Sequence, residues 1–267
     1  MTNPSWARLV RMYERSIARL LNLDLFQHPE LADEPEFREA TWRVAQAMVR
    51  EASVANARSW REAAMRGTNA RAIYQALQAE IATGRLGPEL RAMAIRNAQL
   101  IQSLPQDISR IVTARSAKMA QEGGRPDEVE SIIRSLTSRL SKSRVKLIAR
   151  TEVGRAETDL TQVRAERIGL THYQWSTSRD SRVRPSHKNL DGVLIAWNDP
   201  PAPEQLIGEP SKAGHYAPGC IWNCRCLALP LADLNEVTWP AKVYGSGSIR
   251  RMTRAEFSRM TEVQIAA

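Results

Sequence analysis

SRVKLIARTEVGRAETDLTQVRAERIGLTHYQWST, residues 143–177, changes its periodicity once, at Gly169, and that change decides the fold. Before it, Val145, Ala149, Ala156, Leu160 and Val163 recur at three-and-four spacing, which predicts a long helix over Ser143–Arg167 with Gly169 as its stop. After it, His172 to Thr177 alternates and is aromatic, the pattern of a half-buried strand. Glu152 lies on the apolar stripe between Ala149 and Ala156, so its carboxylate is expected inside, where it needs a cationic or hydrogen-bonding partner. Arg150, Arg182 and the His187 region are the candidates. A buried ion pair that fixes the helix is the commoner reading of such a residue, and catalysis the rarer one.

Upstream the chain reads as helices. Asn3 and Pro4 are a cap and first-turn pair opening a helix through about Leu21, and Pro35 opens a longer one running toward Gly67. Trp42, Ala45, Met48, Val49 and Ala52 mark the apolar face of the latter. Shorter helices are expected over Asn69–Ala82, over Pro88–Ser103 ending before Pro105, from there to the Gly123-Gly124 break, and from Pro126. Downstream, Gly192–Trp197 and Cys226–Leu229 can supply two more short strands, while the prolines from Pro200 to Pro210 predict a long ordered loop. Gly245-Ser246-Gly247-Ser248 reads as a flexible joint in a peripheral arm that carries Arg250, Arg251, Arg254 and Arg259. The expected class is α+β: a helical region over 1–140, a small α+β domain with a short sheet and long loops over 141–235, and a basic arm over 236–267.

A chain of 267 residues with 43% hydrophobic residues is large enough for a buried core. No run approaches the roughly 18 to 20 apolar residues of a membrane span, and the N-terminus lacks the apolar core of a signal peptide, so the cytosol is the expected place of synthesis, whatever the final destination, with no membrane partner. A net charge of +9 favours an anionic partner, nucleic acid first. From Ser131 to Thr151 there is no acidic residue, and Arg134, Arg139, Lys142, Arg144 and Lys146 are the expected DNA contacts, with a solvated basic face as the plainer alternative.

Cys220, Cys224 and Cys226 fall within seven residues, and an odd number in a cytosolic chain points to metal or thiol chemistry. Zinc takes four nitrogen or sulfur ligands, so the three cysteines with His187 or His215 would suffice. Such an ion would also order a proline-rich, sheet-poor region. Buried free thiols are the alternative, because C-x-C crowds two thiolates onto one tetrahedral site and Cys packs as a small hydrophobe. Asp180 and His187 could form a general acid/base pair, with Arg182 or Arg184 holding an anion. A tied-down loop, with Asp180 capping backbone donors, is the commoner use of these residues.

In order and spacing, three motifs resemble the phage Mu F-like, or SPP1 gp7-like, head morphogenesis family. They are Ala149-Arg150-Thr151-Glu152, then Trp175-x4-Asp180-x-Arg182-x4-His187-x4-Gly192, then Asn223-Cys224-Arg225-Cys226 preceded by Pro218-Gly219. The resemblance covers residues 145 to 230. It implies a minor capsid component made beside the portal protein, acting in head assembly or in DNA packaging and delivery. Its partners would be the portal, the major capsid or scaffold protein and double-stranded DNA, in the capsid interior or at the portal vertex, with the host cytoplasm as the site of assembly. It implies no enzyme. Glu152, Asp180, Arg182, His187, Gly192, Asn223 and Arg225 carry over as structural motif positions, and zinc held by His187, Cys220, Cys224 and Cys226 is the cofactor reading. Relatives place a His shortly before N-C-R-C, whereas here Cys220 and Trp222 occupy that neighbourhood. A metal-dependent nuclease, or a zinc-stabilised DNA-binding protein, is the alternative.

Overall fold

The structure, a computed structural model, describes residues 4–64, 77, 80, 86–122 and 126–266. The chain divides into two compact units: a helical one from Asn3–Ala52 and Arg85–Val153, and an α+β one that includes Ser53–Gly84 and Gly154–Ala267. The α+β class read from the sequence is what the structure shows.

In the helical unit, α1 (Pro4–Leu20), α2 (Leu23–Gln27) and a 3-10 turn (Pro29–Asp33) precede the first part of α3 (Pro35–Ala64). Next come α4 (Gly87–Gln121) and the first part of α5 (Pro126–Arg167). The stripe of α3 reads as expected: Ala45, Met48, Val49 and Ala52 are buried, with Trp42 half-buried beside them. Tyr13 is fully buried and donates to Asn97 Oδ1 at 2.9 Å, and Asn97 in turn donates to the Met93 carbonyl at 2.7 Å. The phenol therefore enters the core with its one donor satisfied.

Two helix boundaries differ from the sequence reading. Pro105 does not end a helix but sits inside α4, where it removes one backbone donor at a cost of about 3 kcal/mol. Ile101, Leu104 and Ile108 bracket it on one buried face, and burying each stabilises by about 1.5 to 3 kcal/mol, so packing outweighs the break. The helices expected to start at Pro126 and Ser143 are one, α5, because no glycine or proline interrupts the chain between Pro126 and Gly154. Asn3, the Gly123-Gly124 break and most of Asn69–Ala82 lie outside the described residues; Leu77 and Glu80, within that last stretch, are helical.

In the α+β unit, β1 (His172–Ser176), β2 (Leu194–Ala196), β3 (Leu227–Pro230), β4 (Ala241–Gly245) and β5 (Ser248–Met252) form one sheet in the order β3-β1-β2-β4-β5. β1 runs antiparallel to both β2 and β3, β2 meets β4 in parallel through Leu194 and Val243, and β4 and β5 form a hairpin. Each face has its own core. Tyr173, Trp175, Ile195, Trp197, Tyr216, Cys224 and Cys226 cover one, while Leu194, Ala241, Val243 and Phe257 cover the other.

The expected arm is corrected by this sheet. Gly245 pairs with Ser248, and Ser246 and Gly247 both have positive φ, which is the geometry of a tight two-residue hairpin turn instead of a flexible joint. β4 and β5 complete the sheet, and α7 (Arg254–Ala266) docks through Phe257, 2% exposed. Val243, Tyr244 and Phe257 supply the buried apolar surface that charge patterning hid.

Candidate functional site

The loops beyond β1 and before β3 converge on a buried cluster. After β1, Asp191 accepts from the Thr177 backbone N–H at 2.8 Å and from its hydroxyl at 3.0 Å, closing the segment between them into a loop. Arg179 takes a left-handed φ of 54° and approaches Asp191 at 3.3 Å. Pro185 then opens a short helix, α6 (Pro185–Asn189), whose fixed φ suits the first helical position and whose third residue is His187. His187 is 2% exposed and meets Trp175 edge-on, ring centres 5.3 Å apart. Gly192 closes the loop by donating to the Trp175 carbonyl at 2.8 Å.

The second arm of the cluster is Pro218–Cys226. Helix α5 fixes its start: Thr158 donates to the Pro218 carbonyl at 2.6 Å and Arg155 to the Cys220 carbonyl at 2.7 Å. Gly154 and Gly219 let the backbones meet. A Cβ on Gly219 would stand 2.9 Å from Thr158 Oγ1 and 3.0 Å from the Gly154 carbonyl oxygen, and its φ is +84°. Asn223 then turns the chain with φ 55°, a conformation its short polar side chain tolerates better than most. That turn points Cys224 Sγ back at the Gly219 N–H, 3.3 Å away, and at the Cys226 N–H, 3.4 Å away.

Arg225, on the opposite side of the strand entry, forms a bidentate pair with Asp180 at 2.5 and 2.7 Å. Asp180 also accepts from the Arg182 backbone N–H at 3.0 Å. These bonds, the Arg225 guanidinium first, hold the Asp180 carboxyl well below the usual carboxylate range. Arg184 donates to the Trp222 carbonyl at 2.7 Å, tying the same two loops a second time. Of the expected acid/base pair, then, Asp180 is committed to Arg225, and His187 faces other partners.

Those partners are two sulfurs and a phenol. His187 Nδ1 lies 3.6 Å from Cys224 Sγ and 3.5 Å from Cys226 Sγ, and its Nε2 lies 3.0 Å from Tyr216 Oη. The Nδ1 and the two sulfurs all lie within 4.8 Å of one another, and all three residues are buried. The Cys226 thiol, foremost, pulls the Cys224 thiol below its ordinary range, and the same pairing pushes Cys226 up. Tyr216 in turn donates to Glu204 Oε1 at 2.6 Å, while Ser211 donates to Glu204 Oε2 at 3.1 Å. Burial raises the Glu204 carboxyl, but these donors, Tyr216 foremost, outweigh it and leave it below its ordinary range.

The structure thus brings together His187, Cys224 and Cys226, but not Cys220, which stands outside the group and packs at the edge of the core. Its displacement follows from the turn that α5 holds at its carbonyl. His215 is also outside: its Nδ1 meets the Pro200 carbonyl at 2.7 Å, on the surface. Glu152 belongs to the helical unit, where its partner is Arg96 at 3.2 Å and not Arg150, Arg182 or His187. Sequence separation hid this pair, since 56 residues part the two side chains. Sequence reasoning also missed Tyr216 and Glu204, which sit in a proline-rich loop with no periodicity to mark an inward side chain.

On α5, Arg134, Arg139, Lys142, Arg144 and Lys146 are all exposed. Arg134 pairs with Glu130 at 3.0 Å, whereas the other four have no ion pair among the described residues. Arg139, Lys142, Lys146 and Arg150 recur at three- and four-residue spacing and so share one helical face. No helix among the described residues is long and apolar enough to cross a membrane.

Together the sheet and the loops form an α+β unit that encloses a buried group of one histidine and two cysteines, wrapped by arginine-clamped turns. Residues 110–229 match the family model described as Phage Mu protein F like protein. The match supports the resemblance that the motifs carry, and it begins upstream of them, on α4. A Haemophilus influenzae (strain ATCC 51907 / DSM 11121 / KW20 / Rd) protein described as an uncharacterized protein is 30% identical over 171 residues, 64% of this chain and 35% of that protein. The chain spans about a third of the length of this relative. No solved structure matches.

Proposed function

We propose that this protein is a minor head component of a tailed bacteriophage that associates with the portal and the inner capsid shell during head assembly. The observation that carries the reading is the family match over residues 110–229, joined to a motif whose residues hold one another in place. Asp180 is clamped by Arg225, Arg184 by a backbone carbonyl, and His187 by Tyr216, which suits a rigid docking module more than a site that must admit substrate. In the same reading the basic face of α5, with Arg139, Lys142 and Lys146, meets double-stranded DNA during packaging or delivery, and the mature protein resides in the virion. Zinc is the cofactor in this reading, held by Cys224, Cys226 and His187 as a structural ion. Two thiolates cancel the charge of a divalent cation, which lets the three residues stay 2–5% exposed.

Affinity capture of the tagged chain co-expressed with the portal protein encoded beside it tests the assembly reading, with metal content measured on the same sample. A stoichiometric complex supports it. No complex, together with DNA cleavage that Asp180→Ala abolishes, sinks it in favour of the nuclease alternative.

A further inference from the structure

We infer that Glu204 and Tyr216 are positioning residues that fix the His187 tautomer, so that its Nδ1 lone pair faces Cys224 and Cys226 and completes a soft-cation site. The inference rests on the zinc reading for its ligand, but its structural half stands apart from it.

The argument is a count of protons. A phenol has a single O–H, and Tyr216 spends it on Glu204 Oε1 at 2.6 Å, where the carboxylate is ionised and also receives Ser211. Tyr216 Oη therefore faces His187 Nε2, 3.0 Å away, as an acceptor only. Nε2 must then carry the ring proton, which leaves Nδ1 bare. The bare nitrogen points at two sulfurs, 3.5 and 3.6 Å away. Outer partners of this kind set which nitrogen of a metal-binding histidine is free, and they raise its basicity.

Independent features prepare the sulfur side. Cys224 Sγ accepts from two backbone donors, Gly219 N–H and Cys226 N–H, before any ion arrives. Both donors are fixed by the Asn223 turn and by the Gly154–Gly219 contact. The cluster thus presents two sulfurs and one imidazole nitrogen, a donor set that selects zinc or another soft cation over magnesium or calcium, which take oxygen. Binding such an ion would release the thiol protons. The relay also gives the proline-rich loop a purpose: Glu204 and Tyr216 lie on it, so metal occupancy and loop order become one event.

The experiment uses the full chain and two probes, zinc and cobalt(II). Chelator competition gives affinity, and the sulfur-to-cobalt charge-transfer band reports the thiolates. Long-range proton–nitrogen NMR of the metal-free chain reports the His187 tautomer. The expected results are an Nε2–H tautomer, loss of the charge-transfer band in Cys224→Ser, and a weakening of affinity by about 10- to 100-fold in Tyr216→Phe and Glu204→Gln. An Nδ1–H tautomer in the metal-free chain, or wild-type affinity and spectrum in both relay variants, overturns the inference while leaving zinc in place. A wild-type chain that binds neither ion overturns the zinc reading, and the tautomer measurement then still decides the relay.

Discussion

Alanine at Gly219 is the sharpest perturbation the structure offers, because two separate penalties meet at one atom. The residue has φ +84°, which costs an L-residue about 1 to 2 kcal/mol. Its new Cβ would also stand 2.9 Å from Thr158 Oγ1 and 3.0 Å from the Gly154 carbonyl oxygen. Neither neighbour is free to yield: Gly154 is helix backbone, and the Thr158 hydroxyl is held by its 2.6 Å bond to Pro218. Overpacking of this kind costs about 1 to 3 kcal/mol, giving about 2 to 5 kcal/mol in all. Gly208 supplies the control, since its φ is +78° but a Cβ there meets nothing within 4 Å. Gly208→Ala should therefore lose the backbone part alone, about 1 to 2 kcal/mol. Urea unfolding followed by tryptophan fluorescence reads the right unit, because of the seven tryptophans just Trp6 and Trp42 belong to the helical one. Equal destabilisation by the two variants would refute the close approach of α5 to the Pro218–Cys226 loop.

Three further outcomes follow from the same structure. Burial raises the Glu157 carboxyl to about 7, so the folded state resists ionisation and stability is lost as pH climbs from about 4.5 through 7. Glu157→Gln should stabilise the protein at pH 8 by up to about 3 kcal/mol and leave it unchanged at pH 4; a melting-temperature gain equal at both pH values would refute this. His172 runs the other way: burial lowers it to about 4, so the unfolded chain binds the proton first and stability falls as pH drops from 6.5 toward 4. His172→Phe, which keeps the edge contact with Phe257, should flatten that part of the profile, as thermal scans across pH 4 to 7 would register. On the basic face, Arg139→Gln with Lys142→Gln and Lys146→Gln should reduce the salt dependence of DNA affinity by about 2 to 3 in log–log slope. An unchanged slope would remove α5 from the DNA contact.

Residues 143–177 set out the architecture legibly because the two periodicities, helical and alternating, are properties of local sequence, and the apolar stripe of α5 and the aromatic alternation of β1 each need one face buried. The loop before Cys220 was equally legible, since proline forbids the alternatives locally. Charge and turn composition misled at Gly245–Ser248, where the same residues suit a tight hairpin and a loose linker; pairing of β4 with β2, nearly fifty residues away, decides between them. Pro105 misled because its local cost is real but smaller than the burial around it.

Of the site, the motif order Asp180, Arg182, His187, Gly192 and N-C-R-C stood in the sequence, and with it the residue types of a metal or thiol centre. Which of them meet did not. That His187 joins Cys224 and Cys226 while Cys220 is excluded, that Asp180 serves Arg225, and that Glu152 answers to Arg96 are matters of distance across 37 to 56 residues of chain. Sequence determined the local periodicity and the donor inventory, because both are written residue by residue; tertiary structure alone decided the partners, because burial forces each polar group to take whichever counterpart the packing of distant elements brings within reach.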